Sequence, residues 1–145
     1  MEATNSAWDE MKMAFGRAGH VIEDAGGGMT VRVGLTGEAT HDVAVSRGSG
    51  AGQEWVILRA AVAPACEMDP REALAHNSTL AVGALSAAND VMTLRHVAPL
   101  VAPANDGEGP ALAVRLLAEE ASRLRAMLSS RVATAAKDLF ANFGE

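Results

Sequence analysis

Tyrosine is absent from this chain, and two Trp and three Phe are its only aromatic side chains. Any core must therefore be built from Val, Leu, Ala and Met. Lysine is scarce as well, with only Lys12 and Lys137, and the formal net charge is −6. That balance argues against a general nucleic-acid binder, because phosphate contacts need clustered Lys and Arg. It argues equally against an electrostatic membrane anchor. A single cysteine, Cys66, excludes an intramolecular disulfide and fits a reducing compartment, so a cytoplasmic location is expected. No basic stretch followed by an apolar run opens the chain, so no signal peptide is expected. No apolar run reaches the ~18 residues of a membrane span, and no solenoid period is visible.

What is present suits one domain. A chain of 145 residues, 49% of them apolar, can bury roughly two-thirds of its unfolded surface. Thr4, Asn5 and Ser6 are capping residues, and Trp8, Met11 and Phe15 follow at helical spacing, which predicts a helix from about Ala7 to Ala18. Gly26-Gly27-Gly28 breaks the chain. Val31, Val33 and Leu35 then alternate with Thr30, Arg32 and Gly34, as in a strand with one buried face. HDVAVS repeats that alternation. After the turn RGSGAGQ, the run WVILRAAVA is nearly all apolar and reads as an internal strand. Three strands joined by short turns predict an antiparallel meander.

Asp69-Pro70-Arg71-Glu72 carries the signals of a helix start: a capping Asp, a Pro at the first position, and a Glu to complete a capping box. The runs LAVGAL and VMTLRHV, parted by Asn89-Asp90, predict a hairpin. The stretch from Pro99 to Pro110 reads as a surface loop. From Pro110 onward Leu117, Ala121, Leu124, Leu128, Val132, Ala135 and Leu139 recur in steps of three and four, with Ser129-Ser130 as the weakest point. The expected order is α-β-β-β-α-β-β-α, an α+β fold with one antiparallel sheet of about five strands backed by helices. The expected organisation is a single domain over residues 1–130, with 131–145 as a helical extension.

Candidate chemistry is sparse. The glycines from Gly48 to Gly52 join two strands and lack the lysine of a phosphate loop. Cys66, His76, His96 and His20 are too few and too scattered for the three or four ligands of a metal site. No nucleophile elbow is present. Glu67, Asp69 and Glu72 cluster, but two of them already serve the helix start, and Glu119-Glu120 reads as a solvated helix face. No catalytic residue, metal or cofactor is expected.

One pattern points outward. Side chains alternate along a strand, so Val56, Leu58 and Ala60 share one face, while Trp55, Ile57 and Arg59 share the other. Arg32 and Arg95 join that second face by the same alternation, Arg95 beside Val91 and Val97. A Trp among Arg and aliphatic residues is a composition found at interface hot spots. The same residues also suit a solvated face whose Arg stems cover apolar surface. Methionines could adapt to varied partner segments.

The element order, size and acidity resemble the type III secretion chaperone-like fold, which includes the Tir-chaperone family and the YbjN-like regulators. The middle of the chain carries the resemblance: WVILRAAVAP, the helix DPREALAHN, and LAVGALSAANDVMTLRHVAPL. The resemblance covers about residues 5–130 as a pattern of elements. It implies a non-enzymatic, usually homodimeric α+β protein that holds an extended segment of a partner protein. It also leaves room for a small-ligand or signal-sensing regulator on the same fold. The helical region beyond Ser130 is longer than such chaperones usually need.

Overall fold

The computed structural model describes residues 2–100 and 108–143. Three helices and six strands follow in the order α1 (Glu2–Arg17), β1 (Val21–Ala25), β2 (Gly28–Gly34), β3 (Thr40–Gly50), β4 (Gln53–Pro64), α2 (Pro70–Asn77), β5 (Ala84–Ala88), β6 (Val91–Pro99) and α3 (Glu108–Phe143). The strands form one open antiparallel sheet, ordered β1-β2-β3-β4-β6-β5. This is the α+β architecture expected from the sequence, with one strand more. Most of the expected Pro99–Pro110 loop lies outside the described residues.

The added strand is β1, which pairs with β2 through a two-residue turn at Gly26-Gly27. Both turn residues have positive φ, as do Ala51-Gly52 between β3 and β4 and Asn89-Asp90 between β5 and β6. Turns of that hand match the right-handed twist of the strands they join. The Gly-rich stretch from Gly48 is thus largely strand, and only Ala51-Gly52 turn.

One face of the sheet is covered. Met29, Val31 and Val33 of β2, Val43 and Val45 of β3, Val56, Leu58, Ala60 and Val62 of β4, and Met92 and Leu94 of β6 point into the core. Against them pack Ala7, Trp8, Met11, Ala14 and Phe15 of α1, one stripe at helical spacing. Phe15 is its only fully buried ring. Helix α1 begins earlier than expected, so Thr4–Ser6 lie within it. It ends where Gly19 N–H and His20 N–H turn back to the Gly16 and Phe15 carbonyls at 3.0 and 3.1 Å.

Helix α3 covers the rest of that face with Ala111, Val114, Leu117, Ala118, Ala121, Leu124 and Leu128. It runs through Ser129-Ser130 without a break. Residues 131–141 are all exposed. The extension expected from residue 131 therefore continues α3 beyond the core.

Helix α2 seals an edge. The Asn77 side chain accepts from Leu85 N–H at 2.6 Å and donates to Leu85 O at 3.2 Å, so its amide stands in for a neighbouring strand at β5. Asp69 caps this helix, its Oδ1 accepting from Arg71 N–H at 2.7 Å. Glu72 does not complete a capping box. Its carboxylate is drawn instead to the Arg131 guanidinium, 2.7 Å away on α3. Between α2 and β5, Gly83 lies so close to α3 that a Cβ there would sit 2.8 Å from Leu117 Cδ1.

Candidate functional site

The face turned away from α1 and α3 holds every residue singled out from the alternation, though not in one cluster. Register sets their rows across β3, β4 and β6. Ala44, Arg59 and Arg95 are cross-strand partners, then Ser46, Ile57 and Val97, then Gly48, Trp55 and Pro99. Side chains of one row sit about 5 Å apart, and rows repeat about every 7 Å along the strand. Trp55 and Ile57 are half-buried, while Arg59 and Arg95 are exposed. Val91, expected beside Arg95, lies at the far end of β6, opposite Pro64.

Arg32 stands apart. It lies on β2, and its Nε donates to Asp42 Oδ1 of β3 at 3.0 Å. The hydrogen bond and charge of Asp42 raise the Arg32 pKa further above its ordinary value. Its charge is therefore matched within the sheet.

Trp55 and Ile57 are less free than a bare exposed face would leave them, and the reason lies in β3. Its outward residues there, Ala44, Ser46, Gly48 and Gly50, are all small. Trp55 crosses this low row, and its Nε1–H donates to Gly50 O at 2.9 Å. Ile57 lies over Gly48, where an added Cβ would come within 3.0 Å of Ile57 Cδ1. Arg59 donates to Ser46 Oγ at 3.3 Å. The β4 side chains thus lie down on β3, and the surface they leave is flat. Every second residue from Ala44 to Gly50 is small, so this platform was visible in the sequence, but its partner strand had to be known to use it.

A second polar cluster was not anticipated. His41, on the core-facing side of β3, is buried. The β3–β4 ladder ends at Ala44 and Arg59, although both strands continue, and β4 carries an irregularity between Ala61 and Ala63. His41 Nε2 spans the gap to Ala61 O at 2.8 Å. Arg125 of α3 donates to the same oxygen and to Val62 O, each at 3.0 Å. Burial holds the His41 pKa below its ordinary value, and the Arg125 charge pushes the same way. No nucleophile lies among the hydrogen-bond partners of this cluster, which works as a latch between helix and sheet.

The remaining titratable groups stay dispersed. Cys66 is exposed, and His76 and His96 are half-buried. Among the described residues no three His, Cys, Asp or Glu side chains come together in a way that could hold a metal. Among the described methionines, Met11, Met29, Met68 and Met92 are core, Met127 is partly buried against it, and Met13 is exposed. An open cleft of roughly 380 Å³ lies between the end of α1 and the start of α3, lined in part by Arg17, His20 and Arg115. His20 Nε2 is buried there without a hydrogen-bond partner among the described residues, and burial lowers the His20 pKa.

Comparison with protein-family models gives no match, and comparison with curated proteins gives none either. No described helix is long and apolar enough to cross a membrane.

Proposed function

We propose that this chain is a non-enzymatic protein-binding protein that receives a segment of a partner on the outer face of its sheet. One observation carries this reading: α1 and α3 lie together on one face, while Trp55, Ile57, Val97 and Pro99 share the other. Val97 is 37% exposed, on the stretch of β6 that pairs with β4 alone beyond the end of β5. Contiguous apolar surface rimmed by polar groups marks interaction sites. We take the chain as a type III secretion chaperone-like or YbjN-like adaptor acting in the cytoplasm as a homodimer, a reading supported by the α+β pattern of elements, which departs from the expected order by the added strand β1.

Site-specific photocrosslinking in the native host tests this. A photoreactive residue at Val97 should capture a partner polypeptide, and the same residue at Glu119, on the exposed side of α3, should not. Equal capture from both positions would remove the outer face as the site. Replacing Trp55 and Ile57 together with Ser should reduce capture at Val97 more than it lowers the melting temperature. A collapsed melt with unchanged capture by the folded fraction would mean that these two residues serve folding alone.

A small-ligand or signal-sensing role is the second reading, favoured by the cleft beside His20. Its Nε2, buried without a hydrogen-bond partner among the described residues, lies in a cleft also lined by Arg17 and Arg115, whose charges suit a small anion. Chemical-shift changes at His20 on titration with small carboxylates, without change at Trp55, would favour it.

A further inference from the structure

Arg59 and Arg95 face each other directly across β4 and β6. Like charges placed opposite one another destabilise a sheet. Arg59 has only the neutral Ser46 hydroxyl as a partner, and Arg95 has no hydrogen bond or ion pair among the described residues. Asp42, the acidic residue of this face nearest in register, is held by Arg32. A chain of net charge −6 thus keeps two guanidinium groups together beside its apolar platform with no acidic partner among the described residues.

We propose that this face binds an acidic amphipathic helix of a partner protein, with a carboxylate between Arg59 and Arg95 and aliphatic side chains over Ile57, Val97, Trp55 and Pro99. The proposal rests on the partner-binding reading above and names the partner's chemistry. Spacing admits a helix as well as an extended segment, and the backbone decides between them. The charged row and the two apolar rows repeat about every 7 Å, and positions four apart on a helix advance about 6 Å. A helix satisfies its own backbone hydrogen bonds, whereas an extended segment lying flat on a sheet face would bury unpaired backbone groups. Guanidinium groups suit carboxylates because their planar forks match the two oxygens.

Other occupants fit less well. A second copy docked face to face would bring four arginines together across the two-fold axis. Beyond Arg131, which Glu72 holds, the described end of α3 offers one cation, Lys137, and one anion, Asp138, with no excess of acid. A single nucleic-acid strand wants several stacking rings and a run of cations, and Trp55 is the one aromatic ring on this face among the described residues.

The test uses the full chain and a labelled peptide with Glu at one helical position, Leu four and eight positions later, and Ala and Gln elsewhere. Its controls are the same peptide with Lys for Glu and a labelled oligothymidine. Fluorescence anisotropy should show saturable binding of the Glu peptide, weakening as salt rises, and at least ~10-fold weaker binding of the Lys peptide. Arg59→Ala and Arg95→Ala should each weaken the Glu peptide several-fold. The double variant Arg59→Glu with Arg95→Glu should reverse the preference. Arg95→Thr should melt no lower than the parent, because it relieves a repulsion.

No saturable binding of the Glu peptide, an equal affinity for the Lys peptide, a tighter hold on oligothymidine, or an unreversed preference in the double variant would each overturn the acidic partner. If the Trp55→Ser with Ile57→Ser variant loses both peptides while the arginine variants lose neither, the apolar face remains a protein-binding site and only its acid preference falls. If neither kind of variant changes binding, the face itself is wrong.

Discussion

His41 and Arg125 meet on one carbonyl oxygen. The imidazole Nε2 of β3 lies 2.8 Å from Ala61 O, and the Arg125 Nη2 of α3 lies 3.0 Å from it. A carbonyl only accepts, so the His41 proton is on Nε2. The β4 irregularity turns carbonyls out of the ladder, and these two side chains take the place of the missing strand bonds.

Arg125→Met keeps the aliphatic stem and removes the donors to Ala61 O and Val62 O. It should cost about 1.5–3 kcal/mol, the range for hydrogen bonds made by a charged group. Urea denaturation measures this. An unchanged midpoint would show that water serves the two carbonyls equally well.

Acid should loosen the same latch. The His41 pKa is lowered in the folded chain by burial and then by Arg125, so the unfolded chain takes up the proton first as pH falls. The associated stability is complete above about pH 6.5 and is lost as pH falls through the folded-state value. His20, lowered chiefly by burial, acts in the same direction. His41→Gln can still donate to Ala61 O, and should flatten the fall in denaturation midpoint between about pH 7.5 and pH 5. The His20 share should remain.

The start of α2 offers a narrower test. Asp69→Ala removes the acceptor 2.7 Å from Arg71 N–H and should cost about 0.5–2 kcal/mol. Glu72→Ala should leave the cap intact and act only through the lost Arg131 pair, an effect of at most about 1 kcal/mol at a partly exposed site. A larger effect from Glu72 than from Asp69 would reverse these roles.

Much of this architecture was legible because burial imposes a period. Val31, Val33, Val43, Val45, Val56 and Leu58 alternate, and each of them is core. Strand β1 was not legible, because Val21–Ala25 is an edge strand with only Ile22 half-buried, so VIEDA shows no alternation. LAVGAL suggested a strand ending at Leu85, whereas β5 runs Ala84–Ala88 with Leu85 as its single buried residue. Its apolar start instead forms the connection to α2. Within the candidate face, alternation placed Trp55, Ile57 and Arg59 on one side. The pairing of Arg59 with Arg95 depends on register between strands far apart in sequence, which no local pattern encodes. Glu72 sat at the right spacing for a capping box, and a distant Arg131 took it.

Residues 132–145 should be dispensable for folding. Ending the chain after Arg131 keeps the Glu72 pair and removes side chains that are exposed wherever they are described, Phe140 among them at 76%. The melting temperature should move by no more than about 2 °C, as for other changes at exposed positions. A larger fall would mean that this part of α3 supports the core.

Helix α3 also has a mechanical consequence. Its seat ends near Leu128, and the same unbroken helix continues to Phe143, reaching about 20 Å further. Such a rod transmits angle as well as position. A tilt of about 10° at the seat would carry the tip sideways by about 3–4 Å over that reach. A reporter domain fused at Phe143 would be held off the sheet at a set distance and heading, as on a rigid spacer and unlike a flexible tether.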